Sequence, residues 1–348
     1  MTTIALDAMG GDFAPRVPVQ AALDAARLGA LEVVLVGDEN ILAPALEAAK
    51  RHPLQRIGGH ARAIRIHHAP QTLDIHDPPT ALLKAKEGAS IRVACELVRD
   101  GEADAVVSAG SSGGLMVAAK HALGLIPGVE RPAIGTPLPL RRGTALLLDS
   151  GANVDCKPEY LVQFAHLGAC YARQVLQCEA PRIALLSNGA EASKGDALTR
   201  SAHALLARDM PGFIGNVEGR DLFRGRADVI VTDGFVGNLV LKAAEATARQ
   251  MRLLLKDSLA RSPLSWLGYL LVRPALTRLL ARADYSEIGG SPLLGLNAVA
   301  LVCHGASNAS TMATALHLAR DCVERQLPAE MARAFEAGME KPEDTQVG

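Results

Sequence analysis

The residues best suited to chemistry lie in the run from Asp228 to Lys242, DVIVTDGFVGNLVLK, where an apolar segment, a glycine turn and a helix start follow without a break. Val229, Ile230 and Val231 are β-branched and uninterrupted, the pattern of a parallel strand buried on both faces. The strand is expected to stop at Asp233. Gly234 and Gly237 permit a turn that brings backbone N–H groups close to a ligand. Asn238 suits the N-cap of a helix beginning at Leu239, and Lys242 follows one turn later on the same face. Open amides at a helix N-terminus beside an ammonium group suit phosphate. Taken alone, the same residues also describe a plain cap and a solvated lysine.

Repetition favours the site. The same grammar of strand, small polar loop and helix recurs in IALDAMGGD, AVVSAGSSGG, ALLLDSGAN, IALLSNGAEASKG and VALVCHGAS. In an open parallel sheet such loops gather at the carboxyl edge, where ligands bind. The expected cleft draws on Asp7, Gly10, Gly11 and Asp12 from the first loop and on Ser111 and Ser112 from the second. Asn153, Lys194, Asp233 and His304 follow from the later ones.

The elements that must position these residues read as α/β, with a multi-layer, mostly parallel sheet and flanking helices. A helix is expected over Arg16 to Leu28, a strand over Glu32 to Val36 and another over Ala63 to His67, then a long helix from Thr80 to Val98. Strands follow at Asp104 to Ser108, Thr144 to Asp149 and Arg182 to Ser187. Pro158 opens a helix running to about Val175, and a last strand, Ala298 to His304, leads to a helix capped by Ser307. Residues 1–248 and 285–348 form the α/β catalytic domain on this reading. Residues 249–284 stand apart as a basic amphipathic helical hairpin with Arg252, Lys256, Arg273, Trp266, Leu270 and Leu271, suited to an anionic membrane, an acidic partner or a dimer contact.

At 348 residues, 49% hydrophobic and 21% charged, the chain can bury a full core, and its net charge of -1 gives no nucleic-acid signal. Six cysteines without a C-x-x-C pair read as reduced thiols. The N-terminus enters a strand at once, without an export signal, and no apolar run reaches the ~18 residues of a membrane span. His67, His68 and His76 lack ligand spacing, so no metal is assigned.

Residues 110–114 spell G-x-S-x-G. Ser112, Asp233 and His304 then come in the chain order of a serine hydrolase, although no H-G-G-G oxyanion motif accompanies them. A phosphate cradle explains the same glycines without a covalent step. Neither a P-loop nor G-x-G-x-x-G occurs, which argues against a nicotinamide dehydrogenase.

Together DAMGGDFAP, SAGSSGG, LDSGAN, LLSNGAEASKG, GNVEGRD, DGFVGNLVLK and GGSPLLGLN with HGAS resemble, in order from residue 4 to about 325, the acyl carrier protein:phosphate acyltransferase family, PlsX. The resemblance implies a fold similar to the isocitrate and isopropylmalate dehydrogenases and a cytoplasmic homodimer without cofactor. It implies conversion of acyl carrier protein thioester and inorganic phosphate to acyl phosphate in phospholipid synthesis, upstream of a glycerol-3-phosphate acyltransferase. Peripheral membrane contact through the hairpin is implied as well. The chain departs from the family at Ser111-Ser112, where Asn-Thr is usual, and at Ser187-Asn188, where Asn-Ile is usual. In that reaction phosphate is the nucleophile, so donors matter more than a base. Lys194, Asn238 and Lys242, with the amides of Gly10, Gly11 and Gly237, are expected to hold phosphate and the oxyanion. His304 or Asp233 would orient phosphate or manage its proton.

Overall fold

The computed structural model describes residues 1–27, 31–51, 63–74, 76–259, 268–269, 271–274, 276 and 289–339. Among these, eleven strands form one sheet in the order β3-β2-β1-β4-β11-β10-β5-β6-β9-β7-β8. The strands are β1 (Thr2–Asp7), β2 (Leu31–Gly37), β3 (Ile64–His68), β4 (Ala105–Ser108), β5 (Ala133–Pro139), β6 (Thr144–Leu148), β7 (Ile183–Leu186), β8 (Phe213–Val217), β9 (Val229–Val231), β10 (Ser291–Leu294) and β11 (Val299–Val302). The helices that flank them are α1 (Arg16–Arg27), α2 (Glu39–Lys50), α3 (Ser90–Arg99), α4 (Ser112–Leu123), α5 (Pro158–Gln174), α6 (Ala197–Asp209), α7 (Gly234–Leu259), α8 (Ala309–Glu324) and α9 (Leu327–Met339).

The expected α/β class holds, and the runs of Ile, Val and Leu that announced the strands are buried on both faces: β4, β6, β7, β9 and β11 are buried almost throughout. One feature was not legible. β10 is antiparallel to both β11 and β5, and β5 is antiparallel to β6. The strands β3, β2, β1, β4 and β11 therefore run one way, and β6, β9, β7 and β8 run the other. The loops expected at one carboxyl edge leave the sheet in two opposite directions.

Helix α7 restores the link. It follows β9, and Lys242, eight residues past its start, lies ~12 Å along its axis, with its Nζ 3.5 Å from Nε2 of His304, two residues past β11. The helix also crosses residue 248 without a break, so the boundary expected there falls inside a regular element. Trp266 and Leu270 lie outside the described residues; Arg252, Lys256, Leu271 and Arg273 are exposed.

The long helix expected over Thr80 to Val98 is instead a 3-10 turn, Pro79–Leu83, followed by α3. The intervening chain pairs with Gln71, whose N–H donates to Gly88 O at 3.1 Å and whose carbonyl accepts from Ser90 N at 2.9 Å. These bonds replace the helical ones.

Candidate functional site

Three loops of the first half meet around Asp7. Its carboxylate, buried at the end of β1, accepts from Ser90 Oγ and Ser108 Oγ, both at 2.6 Å, and from Met9 N at 3.2 Å. Ser108 Oγ in turn accepts from Gly110 N at 3.0 Å. Burial pushes the Asp7 carboxyl up, against the opposing pull of the two hydroxyls. Asp7 is thus an internal post for the DAMGGD and SAGSSGG loops, not a group facing a ligand. Gly10 is packed on it: a Cβ there would lie 2.5 Å from Asp7 Oδ2 and 2.7 Å from Gly110 N. Gly11, at φ 97°, threads between Ala109 and Gly305.

The HGAS turn closes this group. Asp12 N donates to Gly305 O at 2.9 Å, and Ala306 N donates to His304 Nδ1 at 3.1 Å. Asn308, not the expected Ser307, caps α8 by accepting from Thr311 N at 2.9 Å, while the buried Ser307 Oγ has no hydrogen-bond partner among the described residues. Ser111 caps α4, its Oγ accepting from Gly114 N at 3.2 Å, and Ser112 is exposed in the first turn.

The second half is organised by a residue that the expected cleft does not include. Asp149, fully buried, accepts from Ile134 N, Gly151 N and Ala152 N through Oδ1, and through Oδ2 from Asn153 N at 2.7 Å and Asn153 Nδ2 at 2.9 Å. Asn153 spends its other amide hydrogen on Pro132 O at 2.8 Å. Its side-chain donors are therefore structural. The nest around Asp149 receives the start of α7: Gly234 N donates to Asn153 O at 2.8 Å.

This changes the reading of α7. The helix begins at Gly234, so Asn238 lies within it and does not cap it; the cap is Asp233, whose Oδ1 accepts from Phe235 N at 2.9 Å and Val236 N at 3.0 Å. Gly237 N donates to Asp233 O at 2.9 Å. All four first-turn N–H groups are taken, and the helix start expected to cradle phosphate has no open amide left. What α7 does present is a face. Asn238 lies against Gly151, whose Cβ position is 3.5 Å from Asn238 Cβ, and Lys242 follows four residues on.

Lys242 joins the two groups. Its Nζ stands 3.5 Å from His304 Nε2, on the opposite half of the sheet, and pairs with Glu245 at 3.0 Å. Because His304 Nδ1 accepts from a backbone N–H, the neutral ring carries its proton on Nε2. Two donors then face each other across 3.5 Å, and an oxyanion satisfies both. Lys194 is exposed on the loop after β7, its side chain lying over Gly189, and makes no hydrogen bond to Asn238, Lys242 or His304 among the described residues.

A hydrolase triad is not assembled. No hydrogen bond links Ser112, Asp233 and His304 among the described residues, and the Nδ1 that must donate to a carboxylate accepts from Ala306 N. Among the described residues no three His, Cys, Asp or Glu side chains group as metal ligands, and no helix is long and apolar enough to cross a membrane.

Residues 2–330 match the family described as fatty acid synthesis protein. The chain is 47% identical over 333 residues to a phosphate acyltransferase of Geobacter sulfurreducens, covering 96% of this chain and 94% of that one. It is 44% identical over 334 residues to the phosphate acyltransferase of Pelotomaculum thermopropionicum, covering 96% and 95%. Among solved structures, the fold resembles a phosphotransacetylase from Streptococcus pyogenes, with a TM-score of 0.54 at 18% identity over 96% of this chain and 94% of that one. It also resembles a putative 4-hydroxythreonine-4-phosphate dehydrogenase from Salmonella typhimurium, with a TM-score of 0.53 at 15% identity over 94% and 99%.

Proposed function

The chain belongs to the phosphate acyltransferase family of fatty acid synthesis proteins, and from that premise we propose that it converts an acyl carrier protein thioester and inorganic phosphate to acyl phosphate and free carrier protein. The observation that carries this reading is the pair of donors, Lys242 Nζ and His304 Nε2, 3.5 Å apart.

Phosphate held between them needs no enzyme-bound acyl group. A phosphate oxygen attacks the thioester carbonyl carbon, the oxyanion forms, and the C–S bond breaks as the carrier's thiolate leaves. Holding two reactants together supplies up to ~7 to 11 kcal/mol. Asn238, next to Lys242 on the same helix face, donates through its amide to the oxyanion, and the His304 Nε2–H donates to a phosphate oxygen and orients it. Lys194 serves the thioester side, because its loop leaves β7 beside β9. Gly10, Gly11 and Gly237 contribute by close packing, which leaves recognition to side chains.

In this role the protein feeds phospholipid synthesis, handing acyl phosphate to a glycerol-3-phosphate acyltransferase. The exposed Met251, Leu253 and Leu254 beside Arg249, Arg252 and Lys256 support peripheral contact with an anionic membrane, and a homodimer is part of the same reading. Flotation with anionic vesicles tests the membrane contact, with Leu254→Glu and Leu271→Glu expected to weaken it.

The deciding experiment incubates the protein with acyl carrier protein thioester, with and without inorganic phosphate, and traps acyl phosphate with hydroxylamine. Product is expected only with phosphate. Lys242→Ala and His304→Ala should each lower the rate by ~100-fold, the usual cost of a lost oxyanion donor. Thioester turnover that ignores phosphate would overturn the assignment.

A further inference from the structure

We propose that the arginine-rich face built from the β5–β6 turn and the loop after β8 is where the protein half of the thioester substrate docks, through an acidic surface of that carrier. The proposal rests on the phosphate acyltransferase reading and adds to it a location for the partner.

Two segments distant in sequence make this face. Residues 140–143 turn β5 into β6, while residues 218–226 leave β8 and return to β9. They touch: a Cβ at Gly225 would lie 3.5 Å from Leu140 Cδ1. Residues 140–142 and 218–226 carry five arginines against Glu218 and Asp221, an excess of three positive charges on a chain whose net charge is -1.

The two acids do not silence the patch. Asp221 is 3% exposed and is bridged by Arg226 at 3.2 Å and Arg224 at 3.7 Å, so it acts from beneath the surface. Glu218 pairs with Arg220 at 2.7 Å. Arg141 and Arg142 are exposed and have no acidic partner within ion-pair distance among the described residues. Phe223 stands among them, 45% exposed. An exposed aromatic ring with surrounding arginines is the composition of a protein-binding hot spot, and unpaired surface charge steers an oppositely charged partner. A nucleic acid is a poorer fit, since proteins that track a phosphate backbone neutralise roughly 6 to 10 phosphates.

The face also leads to the candidate site. Asn216, in β8, donates its Nδ2 to Glu191 O at 2.9 Å, and Ser187 N donates to Val217 O at 2.9 Å. The loop bearing Lys194 is thus tied to the strand from which the arginine loop departs. A carrier seated on the arginines has a route for its thioester arm past Lys194 toward Asn238.

The test compares two acyl donors with the same acyl group, the carrier thioester and the carrier-free pantetheine thioester, in the Arg141→Glu, Arg142→Glu double variant and separately in Phe223→Ser. Neither touches Lys194, Asn238, Lys242 or His304. The KM for the carrier thioester is expected to rise at least ~10-fold in the charge-reversed protein and to lose much of its salt dependence, while kcat/KM for pantetheine thioester stays at the wild-type value. An unchanged KM for the carrier thioester overturns the proposal. Equal losses on both donors, with a change of oligomeric state, also overturn it and give the face to a second copy of the chain. Wild-type protein that forms no acyl phosphate from either donor removes the underlying activity, a failure distinct from loss of docking alone.

Discussion

Gly237 lies so close to the Asp149 carbonyl that a side-chain carbon at that position would stand 1.9 Å from the oxygen. The contact is backbone against backbone, between the first turn of α7 and the end of β6, so no rotamer change relieves it. Gly237→Ala should destabilise the protein by about 3 kcal/mol or more, read as a lower urea midpoint. A midpoint equal to wild type would show that α7 does not depend on this approach.

Asp233 separates capping from proton chemistry. If it acts as the cap of α7, Asp233→Asn keeps a side-chain acceptor and should retain activity within a few-fold. Asp233→Ala should cost roughly 1 kcal/mol of stability. Loss of turnover in the asparagine variant, with stability intact, would return Asp233 to the chemistry.

Ser112 distinguishes a direct attack by phosphate from an acyl-enzyme route. Ser112→Ala is expected to keep substantial acyl phosphate formation, and the wild type should not be labelled by fluorophosphonate probes. Labelling at Ser112 would reinstate the hydrolase.

Lys194 is the outlying member of the candidate set. Lys194→Ala should lower acyl phosphate formation by ~100-fold if its ammonium reaches the oxyanion. A near-normal rate would take it out of the mechanism.

Asp7 predicts a pH effect of definite sign. Burial raises its carboxyl above the ordinary value of 3.8, so between that value and the raised one the folded chain holds a proton that the unfolded chain has released. Its contribution is full below 3.8 and is lost as the pH rises through the folded value. Asp7→Asn removes the titration, so the variant should gain stability relative to wild type as the pH rises above 3.8 in urea titrations. A difference that is flat or runs the other way contradicts the burial argument.

The sequence revealed much of this, unevenly. Val229 to Val231 and the other apolar runs marked strands because a strand covered on both faces has no polar side to show. The glycine-rich loops were found for the same reason that they pack closely. Strand direction left no trace, since burial on both faces looks alike whichever way the chain runs, so the reversal through β10, β5 and β6 was missed. Pro137 and Pro139 hid β5. The sequence suggests Asn238 as a cap because Gly234 and Gly237 resemble a turn, yet both glycines lie in the helix, where they allow its close contact with the Asp149 loop. Asp149 itself was overlooked because nearly all of its partners are backbone N–H groups, which no side-chain pattern encodes.

The saturated start of α7 shapes how the catalyst responds to its surroundings. A cradle of peptide amides neither ionises nor turns away, and it meets an oxyanion identically in acid, base or brine. Here that cradle is filled by the protein's own Asp233 and Asn153 groups, so on the proposed reading an incoming anion is met by an ammonium on a flexible stem and by an imidazole. On the proposed reading, turnover is therefore exposed to ionic strength in a way that a backbone trap is not.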